Sequence, residues 1–281
     1  MNTPMTPALL LLTDSRLPAG GHAHSGGAER AVASGAVHDV PTLRSFLRGR
    51  LHTAGLVATA LTAAACAEAA ATPTVPAPDS ASDLAMPNAV PDRTAPDRTA
   101  PDRTGPDRTG PDWALLDAEA DARTAAPAQR EASRTQGRLL LRVARRVWPS
   151  PVLDRLALDV PNPHHPIALG AAAHAAGATP EEAALAAAYQ AISGPATAAV
   201  RLLGLDPVAV HALLAELTPD LTAVAAQACL STAACGLDPA SGPDPTSHWA
   251  SRWGALPAHS APGLDLLAEQ HARAEVRLFV S

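Results

Sequence analysis

The sequence predicts an all-α protein: a single-domain bundle of about ten helices with one irregular Pro-rich insertion. Three observations carry that prediction. The composition is 47% hydrophobic but only 2% aromatic, with alanine dominant, which suits close-packed helices better than sheets. Apolar residues recur at helical rather than alternating spacing. Cap-then-proline signals also open one segment after another, at Asp39-Val40-Pro41, Thr179-Pro180, Asp206-Pro207 and Thr218-Pro219.

Taken in order, residues 6–13 read as a short helix that ends at Thr13-Asp14. A glycine-rich loop follows, Leu17-Pro18-Ala19-Gly20-Gly21-His22-Ala23-His24-Ser25-Gly26-Gly27-Ala28-Glu29. Here the chain gives up regular structure and keeps polar groups. A second helix, about 27–34, stops at Gly35, a good residue just past a helix end. The third opens at Asp39-Val40-Pro41 and carries Leu43, Phe46, Leu47 and Leu51 on one stripe. The next, about 55–71, is almost wholly small and apolar and is expected at the centre.

Residues 72–112 contain four Pro-Asp-Arg-Thr units, beginning at Pro91, Pro96, Pro101 and Pro106. Recurrent proline forbids a helix, and the segment has almost nothing to bury. It is expected to be a disordered, charge-balanced insertion between two helices of one domain; a docking motif repeated for avidity is the functional alternative.

Helices resume near Trp113, break at Pro127 and continue over about 128–147. Leu139, Leu140, Val143 and Val147 are the expected apolar face of that helix. Arg138, Arg142, Arg145 and Arg146 make a solvated face, with partner binding as the minority reading. A Pro-rich loop then leads to His164-His165-Pro166 and a helix of about 166–176. Thr179-Pro180-Glu181-Glu182 combines an N-cap threonine, proline at N1 and glutamate at N3, a capping box. Its helix is expected to reach Ser193, with a kink at Gly194-Pro195 before 196–203. Two helices of about 207–217 and 219–235 follow, the first with Val210, Leu213, Leu214 and Leu217 as its core stripe. Residues 238–262 read as loop, and a final helix covers about 263–275.

Composition also excludes activities. All 21 basic residues are arginine, so the chain lacks the lysine of a phosphate-binding P-loop or a Schiff-base enzyme. The net charge of −6 and the absence of a basic stripe argue against nucleic acid. Cys66, Cys229 and Cys235 are odd in number, sit in apolar helical contexts and read as buried thiols. The N-terminus shows no basic leader, and its apolar run at 8–12 is too short to span a bilayer. A cytoplasmic protein without membrane association is expected.

The polar groups of the glycine loop invite two chemical readings. His22 and His24 are weak metal candidates, because two imidazoles without a further ligand make no cage. Ser25 with His24 and Glu29 has the residue types of a nucleophilic triad but not the strand–elbow–helix context. No catalytic residue is expected. Glu29, in a first helical turn, favours the helix dipole. Leu278 and Phe279, large apolar groups near the end of the sequence, are expected to dock on their own domain or on a partner.

The run from Leu9 to Glu29 closely resembles the N-terminal signature of the urease accessory protein UreF family, roughly L-x-D-S-x-L-P-x-G-G-x-x-H-S-x-G-L-E. Pro166-Ile167-Ala168-Leu169-Gly170, Ala199-Val200-Arg201-Leu202 before Gly204, and Arg277-Leu278-Phe279-Val280-Ser281 are similar to later family segments. Ala28 stands in place of a usual leucine and Asp206 in place of a frequent glutamine. Arg130-Glu131 and Gly137 resemble a further family region.

The resemblance implies an all-helical chaperone that is not an enzyme. Such a protein assists nickel insertion into apo-urease, binds UreD (also called UreH) and with it recruits and regulates the GTPase UreG. No cofactor of its own is implied: nickel and GTP are handled by the partners, and a homodimer is left open. Partner binding is then expected at Gly20, Gly21, His24, Ser25, Glu29, Arg277, Leu278 and Phe279. The alternative is a direct metal-binding protein using His22 and His24, with His164 or His165 as further ligands.

Overall fold

A computed structural model of the chain describes residues 7–14, 16–19, 23–71, 111–236, 253–275 and 277–279. Among them are twelve α-helices and no strand. They are α1 (Pro7–Thr13), α2 (Ala28–Ala33), α3 (Val40–Arg50), α4 (Leu56–Ala70), α5 (Trp113–Ala122), α6 (Pro127–Val147), α7 (Pro151–Asp159), α8 (His165–Ala175), α9 (Pro180–Leu203), α10 (Pro207–Glu216), α11 (Thr218–Ala234) and α12 (Pro262–Ala272). The all-α expectation therefore stands, with two more helices than the sequence suggested.

The centre is α4. It is apolar on every side, and residues from Leu56 through Ala69, apart from Ala58, are buried. It packs against α8, α9 and α11, with α6 beyond α8. The stretch Val40–Ala70 is long and apolar enough to cross a membrane, yet 78% of its most apolar window is buried inside the protein, as a core helix requires. Alanine makes this packing possible. Gly170 lies so close to α4 that an added Cβ would stand 2.3 Å from Thr62 O and 2.8 Å from Cys66 N. Gly137 on α6 similarly admits the Pro163–His165 backbone, where a Cβ would meet Pro163 O at 2.0 Å.

Local signals are realised at several helix starts. Asp39 caps α3, accepting from Thr42 N at 2.8 Å. Thr179 and Glu182 form the expected reciprocal capping box on α9. Asp206 caps α10 through Val208 N and Ala209 N. Thr218, however, is the first residue of α11, and Leu217 occupies the cap position without a side-chain bond.

Other expectations are corrected. A π-helical turn, Leu51–Gly55, joins α3 to α4 without a break. The Pro-rich stretch after Trp148 contains α7, anchored by buried Leu153 and Leu156, because Pro151 occupies the first helical turn and does not break the helix. The buried face of α6 is Gly137, Leu140, Leu141 and Ala144, one strict i, i+3, i+4, i+7 stripe, whereas Val147 is exposed. Small residues define that face, so a reading weighted toward large apolar ones rotates it. Arg138, Arg142, Arg145 and Arg146 are exposed as expected. Helix α9 runs unbroken through a buried Pro195. Trp253 and Leu256, within the expected 238–262 loop, are core residues.

The Pro-Asp-Arg-Thr segment, 72–110, lies outside the described residues, as do Gly20, Gly21 and His22. The end of the expected insertion is structured: Asp112 caps α5 through Leu115 N, and its own N–H donates to Glu68 Oε1 at 3.1 Å. The chain thus returns to the end of α4 close to where it left. Replacing residues 73–110 with a short Gly-Ser linker is therefore expected to change stability by less than about 1 kcal/mol. Chemical denaturation checks this; a large loss would show that the segment packs.

Candidate functional site

The glycine loop, the start of α2 and the chain end meet at one place. Gly26 and Gly27 have φ of 58° and 89°, the left-handed region open to glycine, and Gly27 leads directly into α2. Glu29 falls in the first turn of that helix, as expected. Its carboxylate does more than favour the dipole. Oε1 accepts from Leu278 N at 2.8 Å and Oε2 from Phe279 N at 3.2 Å. On the other side, His271 of α12 bonds Phe279 O through Nε2 at 3.2 Å, and its Nδ1 lies 3.6 Å from Glu29 Oε2. Glu29 and His271 together clamp the tail backbone at both polar faces. The side chain of Leu278 is left 76% exposed. The sequence named Glu29, Leu278 and Phe279 separately; the structure joins them. His271 carried no sequence signal, since its partners lie at the far end of the tail and on α2.

Beneath the loop, Arg50 ties two elements together. A proline inside a helix cannot donate to the carbonyl four residues earlier. Pro195 thus leaves Ala191 O without its helical donor, and Arg50 Nε supplies one at 2.9 Å. Arg50 Nη1 donates to Gly26 O, also at 2.9 Å. The glycine loop is therefore fastened to the proline-containing turn of α9 by a guanidinium at the start of the π turn. Burial with no opposing influence pulls the Arg50 pKa down to about 10. Neither Arg50 nor the unsatisfied carbonyl was visible in sequence, because 141 residues separate them.

His24 and Ser25 are buried, and Ser25 Oγ has no hydrogen-bond partner among the described residues. His165 sits at the first position of α8 and faces the same region. Burial pushes its pKa down to about 4, with His24 adding a smaller push, so it is neutral at pH 7. His164, the other expected metal candidate of that pair, is committed elsewhere. Its Nε2 pairs with Asp121 Oδ1 at 2.9 Å and its Nδ1 with Ser133 Oγ at 3.0 Å, while its backbone N–H donates to Asp117 Oδ1. Arg134 bridges Asp117 and Asp121 at 2.9 and 2.6 Å. Burial works against the Asp121 charge, but the bonds from His164 and Arg134 outweigh it and hold its carboxyl below the usual range. This network fixes α5 and α6 to the start of α8. Among the described residues, no three or more His, Cys, Asp or Glu side chains are grouped to hold a metal ion.

The residues that meet here enclose a cavity of about 490 Å³, lined by Gly26, Gly27, Arg50, Arg123, His165 and Arg277 among others. What the arrangement can do is bind: it offers a fixed glycine turn, a clamped tail with an exposed apolar side chain, and a cationic recess.

Comparison with known proteins gives this geometry a family. The UreF family model matches residues 37–218. A protein of Mycolicibacterium vanbaalenii named urease accessory protein UreF is 38% identical over 273 residues, covering 97% of each chain. Proteins of the same name from Mycobacterium sp. strain JLS and from Mycobacterium tuberculosis H37Rv are 40% and 34% identical, again over 97% of each chain.

Proposed function

Because the chain belongs to the UreF family of urease accessory proteins, we propose that it acts as a scaffold in urease maturation, with no chemistry of its own. In this reading it binds a UreD/UreH-like protein, and the pair recruits and regulates a UreG-like GTPase that delivers nickel to apo-urease in the cytoplasm. Nickel is cargo and GTP the partner's substrate. The observation that carries the reading is the clamped tail, with Leu278 exposed beside the glycine loop. A large apolar side chain held out on an ordered backbone is preorganised for docking, which lowers the entropic cost of association. The lysine-free sequence fits a protein that leaves nucleotide chemistry to another chain. Leu10 and Leu11, both 57% exposed on α1, are available to a second copy of the chain.

Co-purification with UreD/UreH-like and UreG-like partners, with and without GTP, tests the proposal. The wild-type chain is expected to form the complex and to be required for nickel loading of urease. Glu29→Ala is expected to melt close to wild type, since tail amides released to water lose little net energy, but to capture the partner poorly. Its Leu278 and Phe279 amides should exchange faster. Nickel loading that proceeds equally without the chain would reject the scaffold role.

A further inference from the structure

We propose that the cavity beneath Gly26 and Gly27 is a binding site for a small oxyanion of the phosphate or carboxylate class. The inference does not rest on the maturation role. It rests on cationic and donor groups that line one recess, of which Arg50 and Arg277 form no ion pair among the described residues. Arg50 uses two of its nitrogens on the carbonyls of Ala191 and Gly26. Carbonyls accept hydrogen bonds but do not neutralise a charge, and no ion pair joins Arg50 to a carboxylate among the described residues. Its third nitrogen, Nη2, has no protein acceptor there either. Arg50 is half-buried and holds its charge with two carbonyl acceptors and no counter-charge, so an anion reaching Nη2 from the recess would gain a charge-assisted hydrogen bond.

The neighbouring groups are of the same kind. Arg123 also lines the recess, its charge paired with Glu119 and its Nη2 donating to Trp253 O. The His165 ring has no hydrogen-bond partner among the described residues and, being neutral at pH 7, carries one N–H to give. Arg277 reaches the cavity from the tail. Two acids also line it: Glu131 is exposed and Asp265 half-buried, and neither forms an ion pair with these arginines. Planar guanidinium groups bind phosphate and carboxylate oxygens through paired N–H donors, which an uncommitted Arg50 Nη2 in a recess also lined by His165 is suited to begin. The volume of about 490 Å³ also leaves space for the molecule that bears the anionic group.

Calorimetric titration of the full chain with inorganic phosphate, and separately with acetate, tests the site against chloride at matched ionic strength. Saturable binding of phosphate, acetate or both, absent with chloride, is expected; whichever binds fixes the class. Arg50→Gln is expected to weaken binding at least tenfold. Because Arg50 also supports α9 and the loop, a second variant decides the matter if that one fails to fold. Ala132→Glu places a carboxylate on the cavity wall from α6 and is expected to block binding while melting no lower than wild type. The absence of saturable heat with both probes, or binding unchanged in Ala132→Glu, would overturn the proposal.

Discussion

Gly170→Ala is expected to destabilise the protein by about 3 kcal/mol or more, near the upper end of overpacking costs. The added methyl would lie 2.3 Å from Thr62 O, 2.6 Å from Ala65 Cβ and 2.8 Å from Cys66 N. All three belong to the central helix α4, and two are backbone atoms that cannot swing aside. Accommodating the methyl means moving α8 away from α4 along an interface of alanines, with loss of the close contacts that stabilise it. The same substitution at exposed Gly263, where nothing lies within 4 Å, serves as the control and should change stability by a fraction of this. Equilibrium denaturation of the two variants gives the comparison; equal stabilities would show that α4 and α8 are not the rigid pair described.

What the sequence revealed and what it hid follow one physical division. Interactions within three or four residues were legible: the box at Thr179 and Glu182, the caps at Asp39 and Asp206, and the stop at Gly35. Helix existence is therefore largely readable, and α7 escapes only because the prolines at its start also fit a helix break. Interactions between distant segments were not legible. Nothing near Gly137 or Gly170 announces a helix crossing, and nothing near Arg50 announces that Pro195 leaves Ala191 O in need of a donor. The candidate site divides in the same way. Glu29, Leu278 and Phe279 stood out through the family-like motifs, but their mutual hydrogen bonds, spanning about 250 residues, appear only in the fold. His271, which completes the clamp, had no local pattern to mark it.

The second large effect is expected at the tail. Truncation after Ala274 removes both amides held by Glu29, the carbonyl held by His271, and the exposed Leu278 side chain. The helical core is left whole, because none of these groups belongs to it. Partner capture should nevertheless fall by tenfold or more, since burying one leucine in an interface is worth roughly 1.5–3 kcal/mol. Truncation alone does not separate the apolar contact from the ordering of the backbone, so the single substitution Leu278→Ala is the sharper variant. Its backbone N–H still reaches Glu29, and its side chain makes no demand on the fold.

The most direct test of the account is therefore the dissociation constant of the UreD/UreH-like partner for the wild-type chain and for Leu278→Ala, measured beside their melting temperatures. The account predicts unchanged melting and at least tenfold weaker binding. Equal affinity at equal stability would contradict it and place the docking surface away from the clamped tail.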